Sequence, residues 1–542
     1  MSITINNLLY RLPNQEVLFQ DISFSISNGQ KVSLVGNNGT GKSTLLRIIA
    51  GQLSPNKGEV TNSEKPYYIP QHFGQYNHNT VAEALGVDQK IKALQAILSG
   101  NVTTKHMECL DDDWEIESRI HSALSFWQIP QITLTQPMSL LSGGEKTKIF
   151  LSGIAIHTPE VVLMDEPSNH LDTDSRQMLY TYIQRYKGTM LIVSHDKTLL
   201  NQLQTTLEIH RKTISIYGGN YNFYAQQKQE KLNTLHQDIE NKEKALRQAK
   251  DVEQKSLERQ NKLDTRGKQK QEKAGLPTIM MKTLKNNAEK STSKMKTIHN
   301  EKINAIAQQV DQLRKERPDI DKMKLNISNS TLHKHKTLIA ARGINHQYNH
   351  TMLWPQPLDI DITSNERIVI KGKNGSGKTT LIKLLTGELK PQTGTIVRTE
   401  TNIIYFDQDY TSINNHISIY QQVQAYNHNA LQEHELKTRL NRFLFTQEHW
   451  TKPCSTLSGG ERMRLMLCCL TVSNHSPDII ILDEPTNNLD IQNVEILTSA
   501  INEYQGALIV VSHDTHFLTE IGIEREVQLP SHKINLSKER EL

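Results

Sequence analysis

Apolar positions along the chain follow two patterns. Runs such as VSLVG (32–36), VVLMD (161–165), IVIKG (368–372), IIILD (479–483) and LIVVS (508–512) put β-branched and aliphatic residues on consecutive positions. That suits central strands covered on both faces. Each run gives way to a helical stretch, so the alternation predicts an α/β class with a mainly parallel sheet. Between 226 and 336 the strand runs stop and Lys, Gln, Glu and Ala dominate, a helix-forming composition. There Leu232, Leu235, Ile239 and Leu246 keep a heptad spacing, as do Ile303, Ile306, Val310 and Leu313, with Gly267, Gly275 and Pro277 between the two sets. This predicts an antiparallel helical hairpin whose arms, of ~35 to 40 residues, reach roughly 55 Å.

The strand-rich parts are two copies of one plan. GNNGTGKS (36–43) returns as GKNGSGKT (372–379), and LLSGGEKTK (140–148) as TLSGGERMR (456–464). VVLMDEPSNHLD (161–172) returns as IIILDEPTNNLD (479–490), and MLIVSHD (190–196) as ALIVVSHD (507–514). Spacing repeats as well: Lys42 to Gln71 is 29 residues and Lys378 to Gln408 is 30, while Glu166 to His195 and Glu484 to His513 are both 29. Gln71 to Ser142 spans 71 residues against 50 from Gln408 to Ser458, which predicts an insertion near 95–118 in the first copy. The expected units are 1–225, a linker 226–336, 337–530 and a tail 531–542.

Composition narrows the function. The 542 residues carry 62 Lys+Arg against 58 Asp+Glu, a net charge of +4, too near neutral for a simple polycation. The longest apolar runs, such as LMLCCL (465–470), fall far short of the ~18 residues that span a bilayer. MSITINNLLYRL shows neither a basic n-region nor an apolar h-region, so no export signal is expected. Cys109, Cys454, Cys468 and Cys469 form no CxxC pair, as expected of reduced thiols in a cytoplasmic protein.

GxxxxGK[ST] after an apolar strand is a phosphate cradle: its glycines let successive N–H groups curl around phosphate oxygens at a helix N-terminus. The two loops are Gly36-Asn37-Asn38-Gly39-Thr40-Gly41-Lys42-Ser43-Thr44 and Gly372-Lys373-Asn374-Gly375-Ser376-Gly377-Lys378-Thr379-Thr380. Lys42 and Lys378 would neutralise β/γ-phosphate charge, and Ser43 and Thr379 would ligate Mg²⁺. Asp165 and Asp483, at strand ends, can hold the metal shell, while Glu166 and Glu484 can polarise the attacking water. His195 and His513, just past buried strands, can bond the γ-phosphate. A lone histidine there is more often structural, and the repeated distance to the glutamate favours function.

These motifs resemble the ATP-binding cassette family across nearly the whole chain outside the middle segment. LSGGE at 141–145 and 457–461 is similar to that family's signature, Gln71 and Gln408 to its Q-loop, and Leu171-Asp172 and Leu489-Asp490 to its D-loop. The resemblance implies two cassette domains in tandem with ATP and Mg²⁺ held between them, Gln71 and Gln408 joining the metal shell. Lys42 would face Ser458-Gly459-Gly460, and Lys378 would face Ser142-Gly143-Gly144. Each SGG stretch opens a helix, offering N–H groups and a hydroxyl to the γ-phosphate. Tyr10 and Tyr348, 26 and 24 residues before the loop glycine, are candidates to stack on adenine.

With no membrane segment visible, the resemblance is closest to the F subfamily (ABC-F), twin-cassette ATPases acting on ribosomes. EPSNHLD and EPTNNLD depart mildly from its EPTNHLD at Ser168 and Asn488. The subfamily's interdomain linker implies contact with rRNA and P-site tRNA. Residues 262–302 carry eleven Lys/Arg against four Asp/Glu, a local +7 that leaves −3 for the rest. Between its arms LPTIMMK (276–282) could set Leu276, Ile279, Met280 and Met281 against RNA, or pack inside the turn. The leading expectation is an ATP-hydrolysing translation factor, antibiotic protection being one form of it. A DNA-associated ATPase and the ATPase subunit of a membrane transporter are the other classes; fused cassettes and a long basic hairpin weaken the latter, and no obligate transmembrane partner is expected.

Overall fold

The computed structural model describes residues 1–274, 278–316, 336–348, 351–373, 375–428, 430–473, 477–487 and 489–530. Expectations placed on Asn374, Asn488, Gly275, Leu276, Pro277 and the tail 531–542 lie outside these residues, as do those on the side chains of Ile279, Met280 and Met281. The chain divides into two units, Met1–Asn222 with Lys322–Leu542, and Phe223–Asp321.

In the first unit, the consecutive apolar runs become the middle of two sheets. One runs in the order Tyr67–Ile69, Val161–Asp165, Thr189–Val193, Lys31–Val35, Thr205–His210, Thr213–Tyr217, parallel except for its last pair. The other runs Ile403–Phe406, Ile479–Asp483, Ala507–Val511, Arg367–Lys371, Arg525–Gln528, parallel throughout. Every residue of Val161–Asp165, Thr189–Val193, Ile479–Asp483 and Ala507–Val511 is buried. That is why these runs lack the polar alternation of a one-faced strand.

Each parallel sheet is partnered by a three-stranded antiparallel sheet: Val17–Ile26, Ile3–Arg11 and Lys57–Asn62 in one half, Leu358–Thr363, Thr337–Asn345 and Thr393–Arg398 in the other. The helix after each phosphate loop, Lys42–Ile49 or Lys378–Thr386, is built into the core that joins the two sheets. Leu45, Leu46 and Ile49 pack with Ile3, Ile5, Val161 and Leu163, and Leu381, Leu384 and Leu385 with Leu338, Ile339, Ile479 and Ile481. Each such burial contributes about 1.5–3 kcal/mol relative to exposure. The loop's position is therefore fixed by the helix it opens.

The first half has more helix between Q-loop and signature. Helices Val81–Leu85, Asp88–Leu98, Thr104–Leu110 and Ile116–Phe126 occupy that stretch, whereas the second half has only Ile419–Ala425 and Glu433–Arg442 among its described residues, so the middle two are the added ones. The added helices thus begin a few residues before the expected 95–118.

In the second unit, helix Tyr221–Ala274, which starts in the first unit, and helix Thr278–Glu316 form the hairpin. Lys242 Nζ donates to Gln309 Oε1 at 2.8 Å and Arg314 pairs with Glu243 at 2.6 Å, two contacts that tie the end of the second helix to the first. Ile239 and Val310 of the expected heptads are buried, and the other six heptad residues are half-buried. The arms are 54 and 39 residues, so the first extends about 80 Å rather than 55. The shortfall has two causes, a start at Tyr221 rather than 226 and a continuation past Gly267 to Ala274. Gly267 does not interrupt: the helix runs through it, a glycine there costing only about 1 kcal/mol.

Candidate functional site

Both acidic pairs sit where the parallel sheets end. Asp165 and Asp483 are the last residues of central strands, and Glu166 and Glu484 follow with φ of 52° and 49°. The left-handed conformation costs a non-glycine residue of order 1 kcal/mol. It is held by the neighbouring strand: Glu166 N–H donates to Val193 O and Glu484 N–H to Val511 O, each at 2.8 Å. The histidines stand beyond those same neighbouring strands. His195 Nε2 lies 3.2 Å from Glu166 Oε1, and His513 Nε2 lies 3.4 Å from Glu484 Oε1.

Neither contact is an ion pair. Burial drives the His195 imidazole well below its ordinary value and His513 to about 4, so both are neutral at pH 7. Burial also raises Glu166 and Glu484, with Lys42 opposing the rise at the first and Arg176 and then Lys378 opposing it at the second. Asp165 and Asp483 are raised by burial too, against hydrogen bonds from Ser43 and Tyr68 at one and from Tyr405 and Thr379 at the other.

Two cavities open over these groups, and each is lined from both halves. One, of about 370 Å³, is bounded by Asn38, Gly39, Gly41, Lys42, Ser43 and Thr44 of the first loop. Gln71, Asp165, Glu166 and His195 close its floor, and Ser458 comes from the other half. The second, of about 540 Å³, is bounded by Gly375, Gly377, Lys378, Thr379 and Thr380 with Gln408, Asp483, Glu484 and His513. Ser142, Gly143 and Gly144 complete it from the first half. Ser142 and Ser458 are the N-caps of helices Gly143–His157 and Gly459–Val472, each in a capping box with Glu145 or Glu461. Both serine hydroxyls donate to that glutamate at 2.7 Å, so each is engaged by its own helix.

The loops leave little freedom. Gly41 and Gly377 have φ of 94° and 91°, and a Cβ would come within 2.7 Å of Phe19 at one and 2.5 Å of Leu353 at the other. At Gly39 and Gly375 a Cβ would meet only open space. Lys42 Nζ donates to Gly36 O and Asn37 O, and Lys378 Nζ to Gly372 O and Lys373 O. Thr40 bonds within its loop to Asn37 O, while Ser376 is buried and its carbonyl accepts from Trp354 Nε1.

A triphosphate with its divalent cation suits this set. Thr379 Oγ1 donates to Asp483 Oδ2 at 3.2 Å, and Ser43 bonds Asp165, so each half offers a hydroxyl and a carboxylate to a hard cation. Asp165 Oδ1, Glu166 Oε1 and Glu484 Oε2 are buried without a hydrogen-bond partner among the described residues. The cavity volumes fall within the ~300–1,000 Å³ of small-molecule sites.

Not every expected residue reaches a cavity. Tyr10 does not line the first: β-bulge shifts in Ile3–Arg11 pair it with Phe19, where it packs against the core, and Leu12 and Leu18 take the cavity edge. Tyr348 does line the second, its hydroxyl 3.3 Å from Thr380 Oγ1. Gly36, Asn37 and Thr40 support the first loop from outside the cavity, and Gly459 lines a separate cavity between the two Q-loops.

Other contributors were missed. Tyr68 and Tyr405 donate to Asp165 and Asp483, at 3.4 and 3.0 Å; the signal was a repeated Tyr three residues before each Q-loop glutamine. Arg176 lines the second cavity from the first half. Asp490 accepts from Asn38 N–H at 2.8 Å, a bond between halves.

A family model described as "ABC transporter" matches residues 19–169 and 355–487. ABC transporter F family member 5 of Arabidopsis thaliana is 28% identical over 93% of this chain and 72% of that protein. ATP-binding protein Uup of Haemophilus influenzae is 29% identical over 94% of this chain and 76% of its own length. The uncharacterized ABC transporter ATP-binding protein YfmM of Bacillus subtilis is 27% identical over 94% of both. Among solved structures, an archaeal ribosome recycling factor in complex with a ribosomal stalk protein superposes with a TM-score of 0.60 at 19% identity, covering 97% of this chain and 88% of that one. The RNase-L Inhibitor gives 0.58 at 20%, with the same coverage. At these identities the likeness is one of fold. No helix among the described residues is long and apolar enough to cross a membrane.

Proposed function

The chain belongs to the ABC transporter family, with twin ATP-binding cassettes and F-family relatives over nearly its full length, and from that premise we propose that it is an ATPase of the ABC-F type that acts on the ribosome. The single observation that carries the ATPase reading is the make-up of the two cavities: each joins a phosphate loop of one cassette to the signature serine of the other. Nucleotide held there is bonded from both sides, so its terminal phosphate is what favours the closed arrangement.

Lys42 and Lys378 supply the cation opposite the phosphates. Ser43 with Asp165, and Thr379 with Asp483, would hold Mg²⁺, with Gln71 and Gln408 lining the same cavities. The metal, when bound, would neutralise charge on the β- and γ-phosphate oxygens. Glu166 and Glu484 are the groups placed to take a proton from water, and burial raises both toward the pH at which they must act. His195 and His513, kept neutral, can donate one hydrogen bond without adding charge.

The ribosomal part of the reading rests on the linker. Eleven Lys/Arg against four Asp/Glu in 262–302, on a hairpin built of 54- and 39-residue helices, suit a probe for a phosphate backbone. Antibiotic protection is one form such an activity takes. The test is the double variant Glu166→Gln with Glu484→Gln, sedimented with ribosomes in the presence of ATP. Trapping on ribosomes is expected, together with a loss of turnover of about 100-fold or more. Unchanged turnover, or trapping on DNA alone, would defeat the reading.

A further inference from the structure

The two cavities are not equal, and the difference comes from the helix that follows each D-loop. Asp172 N-caps Thr173–Arg185 and Asp490 N-caps Ile491–Glu503, so the two helices start in register. The first and fourth positions after the capping aspartate are Thr173 and Arg176 in one helix, Ile491 and Val494 in the other. The polar pair serves the opposite cassette. Thr173 Oγ1 lies 3.0 Å from His513 Nδ1, and Arg176 lines the 540 Å³ cavity with Lys378, Glu484 and His513. In the other site His195 Nδ1 is buried without a hydrogen-bond partner among the described residues.

Arg176 is only 9% exposed, yet it makes no ion pair with a described residue. Its Nε–H donates to Leu171 O at 3.1 Å, which anchors the side chain to its own helix start and leaves the terminal nitrogens for the cavity. Its charge acts on the Glu484 and Asp514 carboxylates, but neither is within ion-pair distance, and a buried guanidinium so placed is costly unless an anion completes it. Its planar fork matches phosphate oxygens in pairs.

We propose that Arg176 is a nucleotide-binding residue acting across the interface. It contacts the terminal phosphate held by the Lys378 loop, while Thr173 positions His513. The site built on Lys42 has neither group, so the two sites bind triphosphate unequally, the Lys378 site more tightly. This rests on the nucleotide-site reading above and adds a specificity to one of its two sites.

The test is calorimetric titration of the full chain with AMP-PNP and with ADP, each in the presence of Mg²⁺. A Lys42→Ala background isolates the Lys378 site, and a Lys378→Ala background isolates the Lys42 site. Arg176→Gln keeps a donor for Leu171 but removes the charge; Arg176→Lys keeps the charge and loses the Nε anchor. In the Lys42→Ala background, Arg176→Gln is expected to weaken AMP-PNP about tenfold or more while ADP changes less than about twofold. Arg176→Lys should retain most of the AMP-PNP preference, and the Lys42 site should respond to neither substitution. A merely structural arginine would lower AMP-PNP and ADP together, or suffer more from Lys than from Gln. Either result overturns the proposal, as does an unchanged preference in Arg176→Gln. Absence of binding by the unsubstituted chain at both sites would instead remove the nucleotide reading, and this inference with it.

Discussion

Glu166 and Glu484 hold the same uncommon backbone conformation, each beside its own half-buried histidine, and that local geometry was legible only in part. Lysine, aspartate, glutamate and histidine could be brought to one place from the sequence because each occurs twice at a matched distance, and the cavities are lined by both sets. Tyr10 could not, because bulges in its strand decide which side chain meets the cavity, and the spacing of tyrosine to glycine is blind to them. Arg176 escaped because it has no counterpart: a search for repeats finds what the halves share. His513 makes a prediction at this scale. Burial holds its imidazole at about 4 against an ordinary 6.5, so between those values the unfolded chain takes up the proton that the folded chain refuses. Stability contributed above pH 6.5 is lost as pH falls toward 4. The thermal midpoint of the wild type should therefore drop, relative to that of His513→Gln, when both are scanned from pH 7.5 down to pH 5. Gly377→Ala is the second. A Cβ within 2.5 Å of Leu353, at φ 91°, should cost about 1–3 kcal/mol and lower the midpoint, while Gly375→Ala, facing open space but also at positive φ, should cost less.

Among elements, the signature helices show why a short motif can be both structural and functional. Ser142 and Glu145 exchange hydrogen bonds, as do Ser458 and Glu461, so SGGE is a complete helix start before any ligand is considered. Glu145→Ala should cost about 1 kcal/mol, measured as a fall in thermal midpoint, and should release the Ser142 hydroxyl from its 2.7 Å bond. The hairpin is legible from its heptads but its length is not, because neither the start of the first helix at Tyr221 nor its passage through Gly267 shows in the heptad pattern. A long helix tolerates one unfavourable residue when its apolar stripe continues on both sides. Val310, buried in that stripe, gives the matching test: Val310→Asp should destabilise the hairpin by about 2 kcal/mol or more, read as faster proteolysis within 223–316.

At the level of the molecule, duplication made the fold legible: two α/β cassettes, their strand runs and their intervening helices follow from the repeated motifs. The placement of the added helices was less so, since a difference in spacing gives the size of an insertion more firmly than its ends. Replacing 262–302 by a short Gly-Ser turn should leave ATP turnover largely intact and abolish co-sedimentation with ribosomes. Loss of both together would mean that the segment supports the cassettes rather than a partner.

The Asp490 carboxylate has two tasks. Its Oδ1 accepts from Asn493 N–H to start its own helix, and its Oδ2 accepts from Asn38 N–H of the opposite loop, both at 2.8 Å. Parting of the cassettes would leave the helix start intact and take the Asp490 acceptor from the Asn38 amide. The Asn38 proton is thus a natural gauge of opening: deuterium should enter it slowly while the halves are joined and quickly once they part, with the Asn493 proton, on the same carboxylate, as the internal reference.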